Sequence, residues 1–284
     1  MEASPIVRAA DLIEDAGALL VAAGAGMGVE SGLPDFRGPE GFWRAYPALG
    51  QRGLHFADIA SPSTFETQPA LAWGFYGHRL NLYRNTVPHQ GFQILRGWGE
   101  RMFNGYGVFT SNVDGQFEKA GFDPALLAEC HGSIHYLQCS RPCSQTLWPA
   151  NEFTPRVDAE HCLLENAPPR CPRCSALARP NIMMFGDPAW VEGRSNRQVA
   201  ALKHWLDGAD RIVAVEVGAG TAIPSVRHFT HMLTIDHGAR LVRINPREAR
   251  VPTSRDVSLA APALASLQAI DLELRRRQSA IAGL

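Results

Sequence analysis

The feature that most constrains this chain is an apolar run that ends abruptly in glycines. Residues 16–23 have the pattern of a short buried strand, and Gly24-Ala-Gly-Met-Gly follows directly. Glycines at this place let the backbone approach a pyrophosphate, whose charge then lies at the N-terminus of a helix. The segment is equally consistent with a tight turn that binds nothing. The sequence therefore predicts a strand followed by a loop, and a dinucleotide site is one of two interpretations of that loop.

Further apolar runs recur along the chain, and helical patterns separate several of them. The runs are residues 107–110, 181–185, 211–217 and 240–245, and the helical patterns are residues 7–15, 195–206 and 261–274. Strands that alternate with helices predict an α/β fold with a Rossmann-like, doubly wound parallel sheet. In such folds ligands bind at the carboxyl ends of the strands.

Two stretches depart from this alternation. Residues 39–89 have mostly helical and loop-like patterns, and residues 136–180 are rich in Cys, Pro and Arg with little periodicity. We predict that both are insertions that form a smaller domain, one a helical module and the other a metal-binding module. The Rossmann-like domain would then comprise residues 1–38, 90–135 and 181–284.

Composition narrows the class of protein. Hydrophobic residues make up 45% and charged residues 19% of the 284 residues, as expected of a globular protein. The net charge of −1 creates no overall field that would attract nucleic acid or anionic lipid. The N-terminus lacks the pattern of a signal peptide, and no apolar run reaches the roughly 18 residues of a membrane span. We therefore expect a cytoplasmic protein with neither nucleic acid nor membrane as partner.

Four of the six cysteines form two short hooks. The hooks are Cys139-Ser-Arg-Pro-Cys143 and Cys171-Pro-Arg-Cys174. In a reducing compartment such hooks predict one tetrahedral zinc ion, held structurally because four thiolates leave no open position for water. Four unrelated free thiols are the alternative. Cys162 lies between the hooks and could replace one ligand, whereas Cys130 is expected to be a buried small side chain.

Residues 24–38, from Gly24 to Gly38, resemble the signature of the sirtuin family almost position by position. Further segments resemble sirtuin motifs in the order that the family has them. These segments are residues 110–121 (Thr-Ser-Asn-Val-Asp-Gly-Gln-Phe-Glu-Lys-Ala-Gly), 129–133 (Glu-Cys-His-Gly-Ser), 178–187 (Ala-Arg-Pro-Asn-Ile-Met-Met-Phe-Gly-Asp), 218–224 (Gly-Ala-Gly-Thr-Ala-Ile-Pro) and 243–246 (Arg-Ile-Asn-Pro). The motifs cover roughly residues 20–260, so the chain is identified by resemblance as a sirtuin.

The resemblance implies an NAD-dependent removal of acyl groups from lysine. The expected products are nicotinamide, free lysine and O-acyl-ADP-ribose, and the expected partners are acyl-lysine proteins or peptides. His131 is the candidate general base, because an imidazole titrates near neutral pH, and Asn112 would position the ribose and water. Asp114 would hold the nicotinamide carboxamide, and Asp35, Phe36 and Arg37 would belong to a loop that closes over NAD.

Other residues are assigned by the same resemblance. The remaining candidates for binding NAD are Gly24, Ala25, Gly26, Ser111, Gly218, Ala219, Gly220 and Asn245. The strand that contains Met183, Phe185 and Gly186 is expected to pair with the substrate peptide.

Two departures from the family pattern leave alternatives open. The family usually has Gln where this chain has Ser111, and Ser where it has Gly28. A shorter side chain at 111 could fail to reach the ribose hydroxyls, which would favour NAD hydrolysis or ADP-ribosyl transfer over deacylation. A non-catalytic NAD sensor is a further alternative, although a pure binder would need neither His131 nor Asn112.

Tyr76 and Arg79 predict the choice of acyl group. They are three residues apart, so on a helix they share a face. The pair resembles the Tyr-x-x-Arg of sirtuins that accept succinyl- and malonyl-lysine, as does the segment of residues 38–44. A guanidinium and a phenol can bind a terminal carboxylate through charge-assisted hydrogen bonds. The alternative is a tyrosine and an arginine on a solvated helix face.

Overall fold

The computed structural model describes residues 3–34 and 38–282. The helices are α1 (Pro5–Glu14), α2 (Gly38–Ala45), α3 (Pro47–Gln51), α4 (Phe56–Ile59), α5 (Pro62–Thr67), α6 (Pro69–Asn85), α7 (Gln90–Glu100), α8 (Gln116–Lys119), α9 (Gly193–Asp207), α10 (Ser225–Asp236) and α11 (Ala263–Ala282). The strands are β1 (Ala18–Ala23), β2 (Tyr106–Thr110), β3 (Leu127–Glu129), β4 (Gly132–Cys139), β5 (Trp148–Pro149), β6 (Val157–Asp158), β7 (Leu163–Leu164), β8 (Ala178–Ile182), β9 (Ile212–Val217), β10 (Arg240–Ile244) and β11 (Val257–Leu259).

The main sheet is parallel and changes direction at β1. In the described residues it has six strands in the order β11-β10-β9-β1-β2-β3. The chain runs from β1 to β2 and β3 on one side, whereas β9, β10 and β11 lie on the other side. The carboxyl end of β1 is therefore a topological switch point, which is where open α/β sheets bind ligands.

Burial on both faces explains why β1 is a continuous apolar run. Leu19 and Val21 pack into one hydrophobic cluster together with side chains of α1, α7 and α11. Leu20 and Ala22 pack into a second cluster, on the opposite face, with side chains of α9 and α10. Helices thus cover both faces of the sheet, as parallel sheets require. The prediction of a Rossmann-like, doubly wound sheet is confirmed.

A second unit packs beside the main sheet. Its helices α2 to α6 share a hydrophobic cluster with β4 and β8, which pair antiparallel in a three-stranded sheet with β5. Trp73 ties the helices to this sheet, since its indole Nε1 donates to the carbonyl of Ala178 over 2.9 Å. The run of residues 181–185 was expected in the parallel sheet, but residues 181 and 182 lie in β8. A short apolar run fits either sheet, because it does not specify its partner strand. The predicted domain boundaries stay a prediction.

The four predicted cysteine ligands meet at one point. Their sulfur atoms all lie within 4.8 Å of one another, and the Cys139–Cys174 and Cys143–Cys171 sulfur pairs are each 3.6 Å apart. Ligands of a tetrahedral zinc ion with Zn–S bonds of about 2.3 Å stand roughly 3.8 Å apart. The donors and their spacing therefore fit zinc, as predicted.

The other two cysteines lie outside this tetrad. Cys162 is buried in the cluster of the helical unit, where its carbonyl lies against Gly74, so it does not replace a ligand. Cys130 packs on the main sheet but is only partly buried, which corrects the expectation of full burial.

Within the described residues, no helix combines the length and apolar character needed to cross a membrane.

We predict that Cys171→Ser removes the zinc and destabilises the fold. Metal binding contributes to folding, so the free energy of unfolding should fall by a part of the roughly 10–16 kcal/mol measured for zinc-finger peptides. Metal analysis and thermal unfolding of the purified protein provide the measurement. Cys162→Ala is the matched control and should keep the metal. A Cys171→Ser protein that retains both zinc and its unfolding temperature would contradict the assignment.

Candidate functional site

A cavity of about 560 Å³ opens where the carboxyl ends of β1, β2 and β9 meet the helical unit. Thirteen of the predicted site residues line it: Gly24, Ala25, Tyr76, Arg79, Ser111, Asn112, Asp114, His131, Met183, Phe185, Gly218, Ala219 and Gly220. The predicted residues Asp35, Phe36 and Arg37 lie outside the described residues. Segments far apart in sequence thus converge on one space, at the place that the strand order indicates.

The glycine loop forms the floor of the cavity through close backbone contact. The amide of Gly26 donates to the carbonyl of Gly218 over 3.1 Å. A Cβ atom on Gly24 would lie 2.7 Å from the Cα atom of Ala219, and one on Gly218 would lie 2.4 Å from the backbone of Gly26. The backbone of Gly218 also has a φ of +64°, which favours glycine. These glycines are therefore required where the loops after β1 and β9 touch.

The glycine loop and the residues after it differ from the expectation of a regular helix. Residues Ala25–Met27 and Val29–Ser31 form two short 3₁₀ helices. Two of the predicted NAD-binding residues, Gly26 and Asn245, do not line the cavity. Asn245 is fully buried, donates from Nδ2 to the carbonyl of Ala219 over 2.9 Å, and accepts from the amides of Arg247 and Glu248. Its position supports the loop that lines the cavity.

Asn112 is held against the glycine loop. Its side-chain Nδ2 atom donates to the carbonyl of Gly24 over 3.0 Å, and its backbone amide donates to Thr110 Oγ1, also over 3.0 Å. Thr110 Oγ1 in turn donates to the carbonyl of Ala23. The side chain of Asn112 therefore has one orientation, with its amide nitrogen on the loop.

His131 follows β3 and faces the same cavity. Its Nε2 atom lies 2.9 Å from Oγ of Ser225, the first residue of α10. Burial lowers the pKa of His131 below its ordinary value, and a hydrogen bond to the backbone of Ser111 partly opposes that shift. The imidazole is consequently neutral at physiological pH and able to accept a proton.

Asp114, two residues after Asn112, has a buried carboxyl group and also lines the cavity. Its Oδ1 atom accepts from the amide of Gln116 over 2.9 Å. Burial raises the pKa of Asp114 to about 6, although the Gln116 bond and the positive charge of Arg79 act in the opposite direction. The charges of Asp114 and Arg79 therefore interact electrostatically.

Tyr76 and Arg79 lie on the buried face of α6. The side chain of Arg79 is only 7% exposed, and its guanidinium carbon lies 5.2 Å from the ring centre of Phe75 and 5.6 Å from that of Tyr76. Burial raises the pKa of Tyr76 to about 12, so its hydroxyl stays protonated and can donate. The alternative of a solvated helix face is excluded for both residues.

Sequence reasoning missed Tyr83, which also lines the cavity. Its hydroxyl oxygen accepts a hydrogen bond from Nε of Arg79 over 2.9 Å. The signal was present, because residues four apart on a helix are neighbours. Arg247 and Glu248 also line the cavity and were missed, whereas Thr221 and Ile223 lie in the segment 218–224 that the resemblance had already indicated.

Exposed apolar side chains lie at the mouth of the cavity beyond β8. Met183 is 43% and Phe185 is 44% exposed. The amide of Met183 donates to the carbonyl of His131 over 2.9 Å, which ties this segment to the candidate base. Gly186 has a φ of +61° and follows the segment without lining the cavity. The expectation that Met183, Phe185 and Gly186 lie in a strand is therefore wrong, because β8 ends at Ile182 and residues 185 and 186 form a turn. Their role in binding the substrate peptide stays a prediction.

Known proteins resemble this chain in sequence and in fold. A Pyrobaculum aerophilum protein named NAD-dependent protein deacylase 2 is 30% identical over 272 residues, which cover 95% of this chain and 96% of that protein. A Caldivirga maquilingensis protein named NAD-dependent protein deacetylase is 32% identical over 253 residues, covering 88% and 85%. A Sir2 homologue solved as a complex with NAD has the same fold, with a TM-score of 0.70 at 23% identity, covering 95% of this chain and 94% of that one.

The match to a family model is consistent with these likenesses. The model described as the Sir2 family matches residues 24–215, from the glycine loop to β9. The matched segment is more than half of the chain and contains the cavity residues that follow β1 and β2, those of α6, and the four cysteines. The chain therefore belongs to the Sir2 family.

Proposed function

We propose that this protein is an NAD-dependent protein-lysine deacylase that prefers acyl groups with a terminal carboxylate, such as succinyl and malonyl. The observation that carries the proposal is one cavity lined by the glycine loop, by His131 and by the Tyr76–Arg79 pair. The glycine loop suits a dinucleotide, the imidazole suits a general base, and the buried guanidinium suits an acid. Relatives named as NAD-dependent deacylases support the same activity.

The residues at the sheet edge fit NAD. The loops after β1 and β9 present backbone rather than side chains, because a Cβ atom at Gly24 or Gly218 would collide with the opposite loop. Backbone amides in such loops bind phosphate oxygens. Asn112 and Ser111 offer polar groups beside the loop, and Arg247 and Glu248 also line the cavity. NAD supplies the ribose that accepts the acyl group when nicotinamide leaves.

His131 would act as the general base that removes a proton from a ribose hydroxyl. Its burial keeps the imidazole neutral, and its position in the cavity wall lets it take a proton from a ribose hydroxyl. In the neutral ring one nitrogen donates and the other accepts. If the ring donates to the backbone of Ser111, Nε2 is the basic nitrogen that faces Ser225.

Arg79 would select the acyl group. Burying a charge is unfavourable unless other groups compensate it. Aromatic rings, the hydroxyl of Tyr83 and the charge of Asp114 act on Arg79 from within the protein. A carboxylate at the end of the acyl chain adds a charge-assisted hydrogen bond, which an acetyl group cannot form.

Mass spectrometry of an acyl-peptide panel, incubated with and without NAD, tests the proposal. We expect NAD-dependent loss of succinyl and malonyl groups, slower loss of acetyl groups, and nicotinamide release that requires the peptide. Nicotinamide release that proceeds equally without peptide would support NAD hydrolysis instead, the activity that Ser111 and Gly28 could favour.

We predict that His131→Ala lowers the deacylation rate by roughly two to four orders of magnitude, the contribution of a general base. NAD should still bind, because the glycine loop is unchanged. Peptide turnover and calorimetric titration with NAD measure the two effects. His204→Ala, on an exposed position of α9, is the control and should keep full activity. Near-normal turnover of the His131 variant would refute the role.

We predict that Arg79→Met reverses or removes the acyl preference. Loss of one partner of a buried charge pair should cost about 2–4 kcal/mol of transition-state stabilisation. The value of kcat/KM for the succinyl peptide should fall accordingly. The acetyl peptide, which does not use the charge, should lose little. The ratio of the two kcat/KM values is the measurement, and it cancels general damage to the fold.

Arg84→Met is the matched control for this comparison. Arg84 lies on the same helix, but its guanidinium donates to the carbonyls of Ala150 and Phe153 and does not line the cavity. Its replacement should therefore affect both peptides alike. Equal harm to both peptides in the Arg79 variant, or a wild-type preference for acetyl, would count against an acid-binding role of Arg79.

A further inference from the structure

Tyr83 is a polar cavity residue that neither the acyl-pair motif nor the base accounts for. It lies one turn beyond Arg79 on α6, so Tyr76, Arg79 and Tyr83 share one helix face. We propose that Tyr83 is a further specificity residue, whose hydroxyl accepts from Arg79 and donates its own proton to the carboxylate of the acyl group. This inference rests on the proposed function and extends the acid-binding site from two residues to three.

The bond between Arg79 and Tyr83 defines how the guanidinium can be used. Nε of Arg79 donates to Oη of Tyr83 over 2.9 Å, and the guanidinium carbon lies 5.3 Å from the centre of the Tyr83 ring. Because Nε is engaged in this way, contact with an acyl carboxylate runs through the terminal nitrogens. A planar guanidinium held at Nε has a defined plane, and a defined plane favours recognition of a carboxylate.

The hydroxyl of Tyr83 can donate a hydrogen bond as well as accept one. A phenol that accepts one hydrogen bond still carries its own hydrogen as a donor. Burial raises the pKa of Tyr83, so the group stays neutral and protonated at physiological pH. Within residues 3–34 and 38–282, the bond from Arg79 is the single hydrogen bond that the hydroxyl makes. A carboxylate in the cavity provides the acceptor that this proton lacks.

The position of Tyr83 is firmly held. Its side chain is only 5% exposed, and its backbone carbonyl accepts from Nε2 of Gln116 over 3.1 Å. Gln116 follows the segment that carries Asp114, so the end of α6 is tied to the sheet side of the cavity. A donor with little freedom loses little entropy when it binds a ligand, which favours discrimination between acyl groups.

The test is Tyr83→Phe, which removes one oxygen and keeps the ring. Steady-state kinetics are measured with a succinyl-lysine and an acetyl-lysine peptide of the same sequence. We expect KM for the succinyl peptide to rise roughly 10- to 100-fold, as for the loss of a hydrogen bond to a charged group. We expect kcat for that peptide, and both constants for the acetyl peptide, to stay within about 2-fold, because acetyl offers no acceptor to the phenol.

Tyr106→Phe is the matched control. Its hydroxyl accepts from the amide of Asp123, away from the cavity, so both peptides should behave as with the wild type. An equal loss on both peptides in the Tyr83 variant would indicate a structural role and overturn the inference. So would an unchanged preference for succinyl. A wild-type preference for acetyl, by contrast, would overturn the proposed function itself, so the two failures are distinguishable.

A double-mutant cycle separates direct donation from mere support of Arg79. If Tyr83 donates to the acyl carboxylate, adding Tyr83→Phe to Arg79→Met should raise KM for the succinyl peptide further. If the double variant equals Arg79→Met, then Tyr83 acts only through the guanidinium and the proposed donation is wrong.

Discussion

The contact between two backbone loops supports the rest of the site. The loop after β1 and the loop after β9 approach so closely that Gly24 and Gly218 have no room for a side chain. Two asparagines bind to this contact from opposite sides, Asn112 at the carbonyl of Gly24 and Asn245 at the carbonyl of Ala219. The floor of the cavity is thus built from backbone and held by amide side chains. A larger residue at either glycine would separate the loops and displace both asparagines.

Burial of ionisable groups is the second determinant of the site. Burial lowers the pKa of His131, raises that of Asp114 to about 6, and surrounds the charge of Arg79 with aromatic rings. Burial therefore holds His131 as the neutral base that its proposed role needs, and it places the charges of Asp114 and Arg79 where they interact with little solvent between them. Interactions between such groups are stronger than in water, because little solvent screens them.

The sequence could predict those parts of the fold that burial specifies locally. β1, β2, β9 and β10 are apolar runs buried on both faces, and their carboxyl ends predicted where the cavity lies. The prediction was wrong for residues 181 and 182, because an apolar run does not name its partner strand. The short strands β3 and β11 have too few residues for a periodic signal. Tyr83 was not predicted, because the motif that carries the resemblance contains only Tyr76 and Arg79, although helical spacing places all three residues on one face.

The two ends of the cavity belong to different units of the fold, and this separation has a consequence for specificity. The glycine loops and His131 come from the carboxyl edge of the parallel sheet, whereas Tyr76, Arg79 and Tyr83 come from one face of α6. If Arg79 selects the acyl group as we propose, a change on α6 alters which acyl group fits without moving the loops to which we assign NAD. The sheet edge, in contrast, tolerates little change, because its loops touch through backbone. In the function that we propose, acyl selectivity is consequently assigned to helix side chains, and the chemistry common to all substrates is assigned to the strand ends.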